Sequence, residues 1–119
     1  MSTTSAPLHG VKVIEFCHVA AGPFCGMLLA DFGAEVTKIE SPEGDAMRQW
    51  PPLSGGFSEN FASVNRGKQS VVLDLKDPQQ RDLARALVLQ ADVLVENIGM
   101  SSWPPGPPWR TRASMAAML

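Results

Sequence analysis

Residues 11–48, VKVIEFCHVAAGPFCGMLLADFGAEVTKIESPEGDAMR, decide the fold. Val11–Phe16 is a nearly continuous β-branched and apolar run, the composition of a strand covered on both faces of a parallel sheet. A turn of small residues follows and ends in Ala21-Gly22-Pro23. Phe24–Phe32 is apolar almost all round, which predicts a buried helix rather than an amphipathic one. Pro23 suits a first helical position, where its missing N–H costs no hydrogen bond. Gly33 suits the left-handed residue just past the helix end. Val36–Ile39 is a second strand-like run, so the stretch reads as a βαβ unit. The turn before the helix has two readings: a phosphate-holding helix N-terminus, or a bend that Gly22 and Pro23 only shape. Glu40-Ser41, at the carboxyl end of the second strand, lies where open α/β sheets bind ligands.

Upstream, Ser2–Leu8 is polar and loose. Downstream, Ser41–Ser58 is punctuated by Pro42, Gly44, Pro51, Pro52, Gly55 and Gly56, a long loop of the kind that carries function or faces a partner. Phe57–Val64 fits a short helix or a short strand equally. A basic turn, Asn65-Arg66-Gly67-Lys68, leads to a strand at Ser70–Leu75. Asp77-Pro78 is an N-cap followed by proline at the first helical position. Gln79–Gln90 is the clearest helix, with Leu83, Ala86, Leu87 and Gln90 on one face, and Val93–Val95 is a last buried strand closed by Glu96-Asn97. Alternating strands and helices predict an α/β fold, part of a doubly wound parallel sheet. Ile98–Leu119 changes character: Trp103, Trp109 and four prolines stand in a segment with no acidic residue, patternless until a short Ala/Met turn at its end.

The 119 residues suffice for one small domain; 45% are hydrophobic and the net charge is −2. No basic stripe marks a nucleic-acid partner. Lys12, Glu15, His18, Asp31 and Glu35 interrupt the most apolar window, which excludes a membrane helix there. The first ten residues lack the pattern of a signal peptide. Cys17 and Cys25 fit no metal-ligand spacing, so reduced thiols and a cytoplasmic location are expected. Single residues offer little chemistry. His18 at a strand end is a base or a structural imidazole. Cys25 near a helix N-terminus is an activated thiol or, given its apolar setting, an inert one. Asp45 and Arg48 form a local pair or a ligand clamp, and Arg66, Lys68 and Lys76 either converge on phosphate or are simply solvated.

The combination says more. AGPFCGMLLADFGAEVTKIESPEGDAMR, VNRGKQSVVLDLKDP and ADVLVEN, in this order and spacing, resemble the family III CoA-transferases, a group that includes acyl-CoA racemases. The resemblance covers Leu8–Asn97. It implies the N-terminal part of a Rossmann-like domain, residues 1–97, from a protein that moves CoA between carboxylic acids. It also implies an interlocked homodimer and no covalently bound cofactor, with coenzyme A or acyl-CoA entering as substrate beside a carboxylic acid. Position by position, it implies CoA contacts at Ala20, Ser41, Leu73, Asp74, Leu75, Lys76, Asn97 and Ile98. Ala20 stands where formyl-CoA transferases have Gln, and Ser41 where they have a phosphate-binding Arg. Neither can supply the original side-chain contact.

The resemblance places the transferases' catalytic Asp beyond Leu119; Asp31, Asp45, Asp74, Asp82 and Asp92 fall in other motifs, so no catalytic residue is assigned. In the transferases that Asp acts as a nucleophile through a mixed anhydride. Residues 98–119 are expected to be an aberrant tail. The codons of Trp103–Pro108, read one base later, can encode Gly-Arg-Leu-Gly-Leu, a stretch the family carries near this position, so a shifted reading frame near Asn97 is expected. Three readings stand: an inactive fragment of a CoA-transferase, a fragment of a 2-methylacyl-CoA racemase, and a non-catalytic CoA-binding remnant. A sheet cut after about four strands predicts poor solubility of the isolated chain.

Overall fold

The computed structural model describes residues 6–98 and the backbone of a short strand at 116–118. Its elements are β1 (Lys12–Phe16), α1 (Ala21–Asp31), β2 (Glu35–Glu40), β3 (Leu53–Ser54), β4 (Phe57–Ser58), α2 (Glu59–Asn65), β5 (Lys68–Val72), α3 (Pro78–Gln90), β6 (Val93–Glu96) and β7 (Ala116–Met118). The main sheet is parallel, in the order β5-β2-β1-β6-β7. The chain therefore steps outward from β1 through β2 to β5, then crosses back to β6 on the other side of β1. That reversal is the switch point at which doubly wound sheets open a crevice.

β1 is central because its residues can be buried on both faces. Val13 pairs with Val36 on one side and Val93 on the other, and every residue from Val13 to Phe16 is buried. Residues two apart share a face. Ile14 and Phe16 join Ile39, Leu73, Leu94, Ala84 and Val88 in the core under α3, whereas Val13, Val36 and Val95 meet the α1 side with Cys17 and Ala34.

Both main helices depart from their predicted faces. α1 buries Gly22, Pro23, Gly26 and Met27 but leaves Phe24 and Leu28 at 50% and 39% exposure, and Phe32 just past its end at 53%, so it is not covered all round. Pro23 is its third residue, not its first, still within the turn whose N–H groups have no helical partner. Gly33 follows the helix at φ 103°, as expected. In α3, Asp77 accepts from Gln79 N at 3.0 Å and caps the helix as predicted. The buried face is Ala84 and Val88 rather than Leu83 and Ala86, because the small Ala84 lets the helix backbone close on the sheet while Leu83 is half exposed.

The loop after β2 is more regular than expected. Asp45 caps a 3-10 turn at Ala46–Gln49, and β3 and β4 form an antiparallel hairpin. Residues 57–64 are strand first and helix after: Ser58 ends β4, and its hydroxyl accepts from Phe61 N at the start of α2. β5 begins two residues earlier than predicted and ends at Val72; Leu73 N still donates to the Glu40 carbonyl at 2.9 Å, and Asp74 and Leu75 lie beyond the sheet. The Ala/Met segment expected as a turn contains β7, which adds to β6 in parallel. The rest of the Pro/Trp-rich tail, residues 99–115, lies outside the described residues.

Candidate functional site

A cleft of about 500 Å³ opens over the carboxyl ends of β1, β2 and β5. Phe16, Ile39 and Leu73 supply apolar surface, and His18, the loop from Pro42 to Ala46 and Lys76 add polar groups. Six of the eight residues singled out from the sequence line it: Ser41, Leu73, Asp74, Leu75, Lys76 and Ile98. The LDLK turn is held open by its own hydrogen bonds. Asp74 N donates to Gln80 Oε1 at 2.8 Å, and Asp74 Oδ1 accepts from Lys76 N at 3.0 Å.

The other two sit elsewhere. Ala20 precedes α1 and contributes its carbonyl to Phe24 N at 2.8 Å. The Asn97 side chain grips the backbone of His18, accepting from its N–H and donating to its carbonyl, both at 3.0 Å. Asn97 thus fastens the turn after β1 to the end of β6, across the switch point.

Asp45 holds the same turn from the opposite side. Its Oδ1 accepts from Val19 N at 3.1 Å and from Met47 N at 2.9 Å. Val19 sits at φ 67°, a left-handed conformation that a β-branched residue adopts only when its surroundings impose it. The anticipated Asp45–Arg48 pair does not form as such. Asp45 Oδ2 instead faces Lys38 Nζ at 3.0 Å, and Arg48 turns to Glu40.

Beneath the turn lies a buried ionic cluster. Lys38 Nζ donates to Glu15 Oε1 at 3.0 Å and to the Cys17 carbonyl at 2.7 Å. Lys68 Nζ meets Glu15 Oε2 at 2.8 Å, and donates to the Pro23 carbonyl and Asn65 Oδ1 at 2.8 Å each. The side chains of Glu15, Lys38, Asp45 and Lys68 are at most 2% exposed, so two cations balance two anions out of water. Burial lowers the Lys68 pKa, and the neighbouring Glu15 opposes that shift. Burial pushes the Cys17 thiol up to about 12, with Glu15 adding to the effect, and burial likewise raises Cys25. The helix N-terminus therefore does not activate Cys25, and the inert reading holds.

The three basic residues around β5 do not converge. Arg66 forms a surface pair with Asp31 at 2.8 Å, Lys68 is consumed by the cluster, and Lys76 alone of the three reaches the cleft. Glu40 lines the cleft's wall. Its Oε1 accepts from Asp45 N at 2.9 Å and Arg48 Nε at 2.8 Å, and its Oε2 accepts from Arg48 Nη2 at 2.6 Å and from the Ser70 hydroxyl. Burial would raise its pKa, but Arg48, Ser70 and the Asp45 amide together hold it down at about 2.

A family model described as CoA-transferase family III matches residues 8–104. The chain belongs to this family. As a family III chain it is 46% identical over 105 residues to the succinate–glutarate CoA-transferase of Agrobacterium fabrum, covering 82% of its own length and 26% of that relative's. It is also 46% identical over 93 residues to the human succinyl-CoA:glutarate CoA-transferase, covering 76% of itself and 21% of the relative. Among solved structures, a CaiB/BaiF family protein from Brucella suis shares 44% identity at a TM-score of 0.74, over 78% of this chain and 26% of that one. A Mycobacterium tuberculosis protein aligns at a TM-score of 0.77 and 35% identity, over 95% and 33%. The fold expected from the sequence is the fold of these family members. The chain spans about a quarter of the length of the curated relatives it matches. Among the described residues of this family III chain, no helix is long and apolar enough to cross a membrane.

Proposed function

We propose that residues 1–97 form the CoA-binding part of a family III CoA-transferase, and that the chain alone binds CoA or acyl-CoA without turning it over. The observation that carries this reading is the convergence of three separated motifs on one cleft: Ser41 after β2, Leu73–Lys76 after β5, and Ile98 after β6. The apolar patch formed by Phe16, Ile39 and Leu73 suits a flat adenine, and Lys76 at its rim suits phosphate. Ala20 and Asn97 act on the backbone of the turn, so their part is to shape the cleft. Glu40, Asp45 and Asp74, three of the carboxylates lining the cleft, are not offered as the nucleophile. Glu40 is locked, Asp45 holds Lys38 and Val19, and Asp74 shapes its own turn.

The relatives' names supply the class of reaction: transfer of CoA from an acyl-CoA to a carboxylic acid, dicarboxylic acids among them. We read the parent protein as a cytoplasmic, interlocked homodimer, a reading supported by the two free cysteines and by the family membership. The exposed Phe24 and Leu28 of α1, with Phe32 just past its end, support covering of that face by the rest of the parent. Isothermal titration of the purified chain with CoA tests the proposal. Saturable binding that weakens in Lys76→Ala is expected, with no CoA transfer from succinyl-CoA to glutarate. Absence of saturable heat at millimolar CoA overturns it.

A further inference from the structure

Dinucleotide-binding α/β folds carry an acidic residue at the end of the second strand, about 20 residues beyond the glycine turn, whose carboxylate hydrogen-bonds the ribose hydroxyls. Glu40 occupies that place, at the end of β2 and in the wall of the cleft. It is not available for that task. Its two oxygens already accept from four donors: Arg48 Nε, Arg48 Nη2, Asp45 N and the Ser70 hydroxyl. An ionised carboxylate offers about four lone-pair sites, so none is left for a diol.

Arg48 is itself held in place. Its guanidinium lies 4.0 Å from the centroid of the Phe61 ring, on α2, while its other edge forms the bidentate pair with Glu40. Two of the remaining carboxylates around the cleft are engaged, and the third lies on the loop rather than at the strand end. Asp45 is held by Lys38, Asp74 accepts from the Lys76 amide, and Glu43 stands exposed on the loop. Lys76 is left as a cation at the rim.

We infer that Arg48 is a specificity-determining residue: by locking Glu40 it withdraws the strand-end carboxylate and lets the cleft take a nucleotide whose ribose carries a phosphate in preference to one with a free diol. The inference rests on the CoA reading above and adds a discrimination within it. Arg48 acts through Glu40 and not by touching the ligand.

The test is calorimetric titration of the full chain with CoA and with 3′-dephospho-CoA. Wild type is expected to prefer CoA by about tenfold, equivalent to about 1.4 kcal/mol. Arg48→Gln, which frees the Glu40 charge, is expected to lose that preference. Glu40→Gln/Arg48→Gln, which removes charge and partner together, is expected to regain it. Where Arg48→Gln does not fold, by circular dichroism, the paired variant decides: a kept preference supports the inference and a lost one overturns it. A paired variant as poor as the single one shows that Arg48 contacts the ligand directly and overturns the lock. Wild type that binds both ligands equally overturns this inference alone, while wild type that binds neither overturns the CoA reading and this inference with it.

Discussion

The two faces of the sheet are built from the same strands and bury them by different physics. Under α3 the core cluster is apolar, from Ile14 and Phe16 to Ala84 and Val88, and the one buried charge on that face among the described residues, Glu96, comes at the end of β6. Under α1 the packing begins apolar at Val13 and Val36, but two residues further along the same strands come Glu15 and Lys38, at 0% and 1% exposure. The apolar face contributes stability without regard to direction. The ionic face demands direction, because each ammonium and carboxylate needs specific partners once water is gone. It also lies next to the turn that shapes the cleft: Lys38 binds the Cys17 carbonyl, and its partner Asp45 holds Val19. The contrast shows the cleft drawing on both: apolar surface from Phe16, Ile39 and Leu73 on one side, and a turn held in place by the ionic cluster on the other.

Lys38→Ala attacks the contrast hardest. It leaves the buried carboxylates of Glu15 and Asp45 short of a cation, and should cost about 3–5 kcal/mol in denaturant unfolding, a large part of what a small domain has. A variant as stable as wild type would remove the argument for the ionic face. On the apolar face, Leu94→Ala should cost about 2–4 kcal/mol by cavity formation, with no change in the position of the Val19 turn as seen by amide chemical shifts. Gly26→Ala sharpens the comparison because helix propensity and packing disagree. Ala would favour α1 by about 1 kcal/mol, yet its Cβ would stand 1.9 Å from Glu15 Oε2, so a net loss of about 1–3 kcal/mol is expected in thermal unfolding.

The acid limb probes Glu40, whose folded pKa of about 2 lies below the ordinary value near ~4.3. A depressed carboxylate stabilises the fold fully above its unfolded pKa and loses that stabilisation as pH falls toward its folded pKa. Stability should therefore drop by roughly 2 kcal/mol between about pH 5 and pH 2. Glu40→Gln should flatten that limb, and an unchanged limb would assign the drop to other groups. The smallest effect has the opposite sign. Val19→Gly relieves a left-handed β-branched residue and should raise stability by about 1 kcal/mol while loosening the turn.

Much of the scaffold was legible because its signals are local. The β-branched run at Val11–Phe16, the Asp77-Pro78 cap and Gly33 each act through their own neighbours, and each element formed where expected. The faces were harder to read. In α1 nearly every residue is apolar, so periodicity holds no information about which side meets the sheet. In α3 the hydrophobic count favoured Leu83, but close approach favoured Ala84. The ionic cluster was the largest omission, since Glu15 read only as an interruption of an apolar window and Lys38 passed unremarked inside the Val36–Ile39 run. A signal for it existed: strands predicted to be covered on both faces force any charge within them to find a buried partner. Of the cleft's lining, the residues around Leu73–Lys76 were singled out by resemblance. The engagement of Arg48 with Glu40 and of Asp45 with Val19 was not, because spacing in sequence suggested a pair between Asp45 and Arg48 themselves.

The central place of β1 has a consequence in time. One partner of Val13 is Val36, close behind it in the chain, but its other neighbour is Val93, 80 positions later in the register. At synthesis rates of roughly 5–20 residues per second, that edge of β1 waits roughly 4–16 seconds for its partner. Through that interval the half-built sheet presents an apolar strand edge, open to pairing with another chain. The His18–Asn97 clasp that completes the cleft can close only when this wait ends.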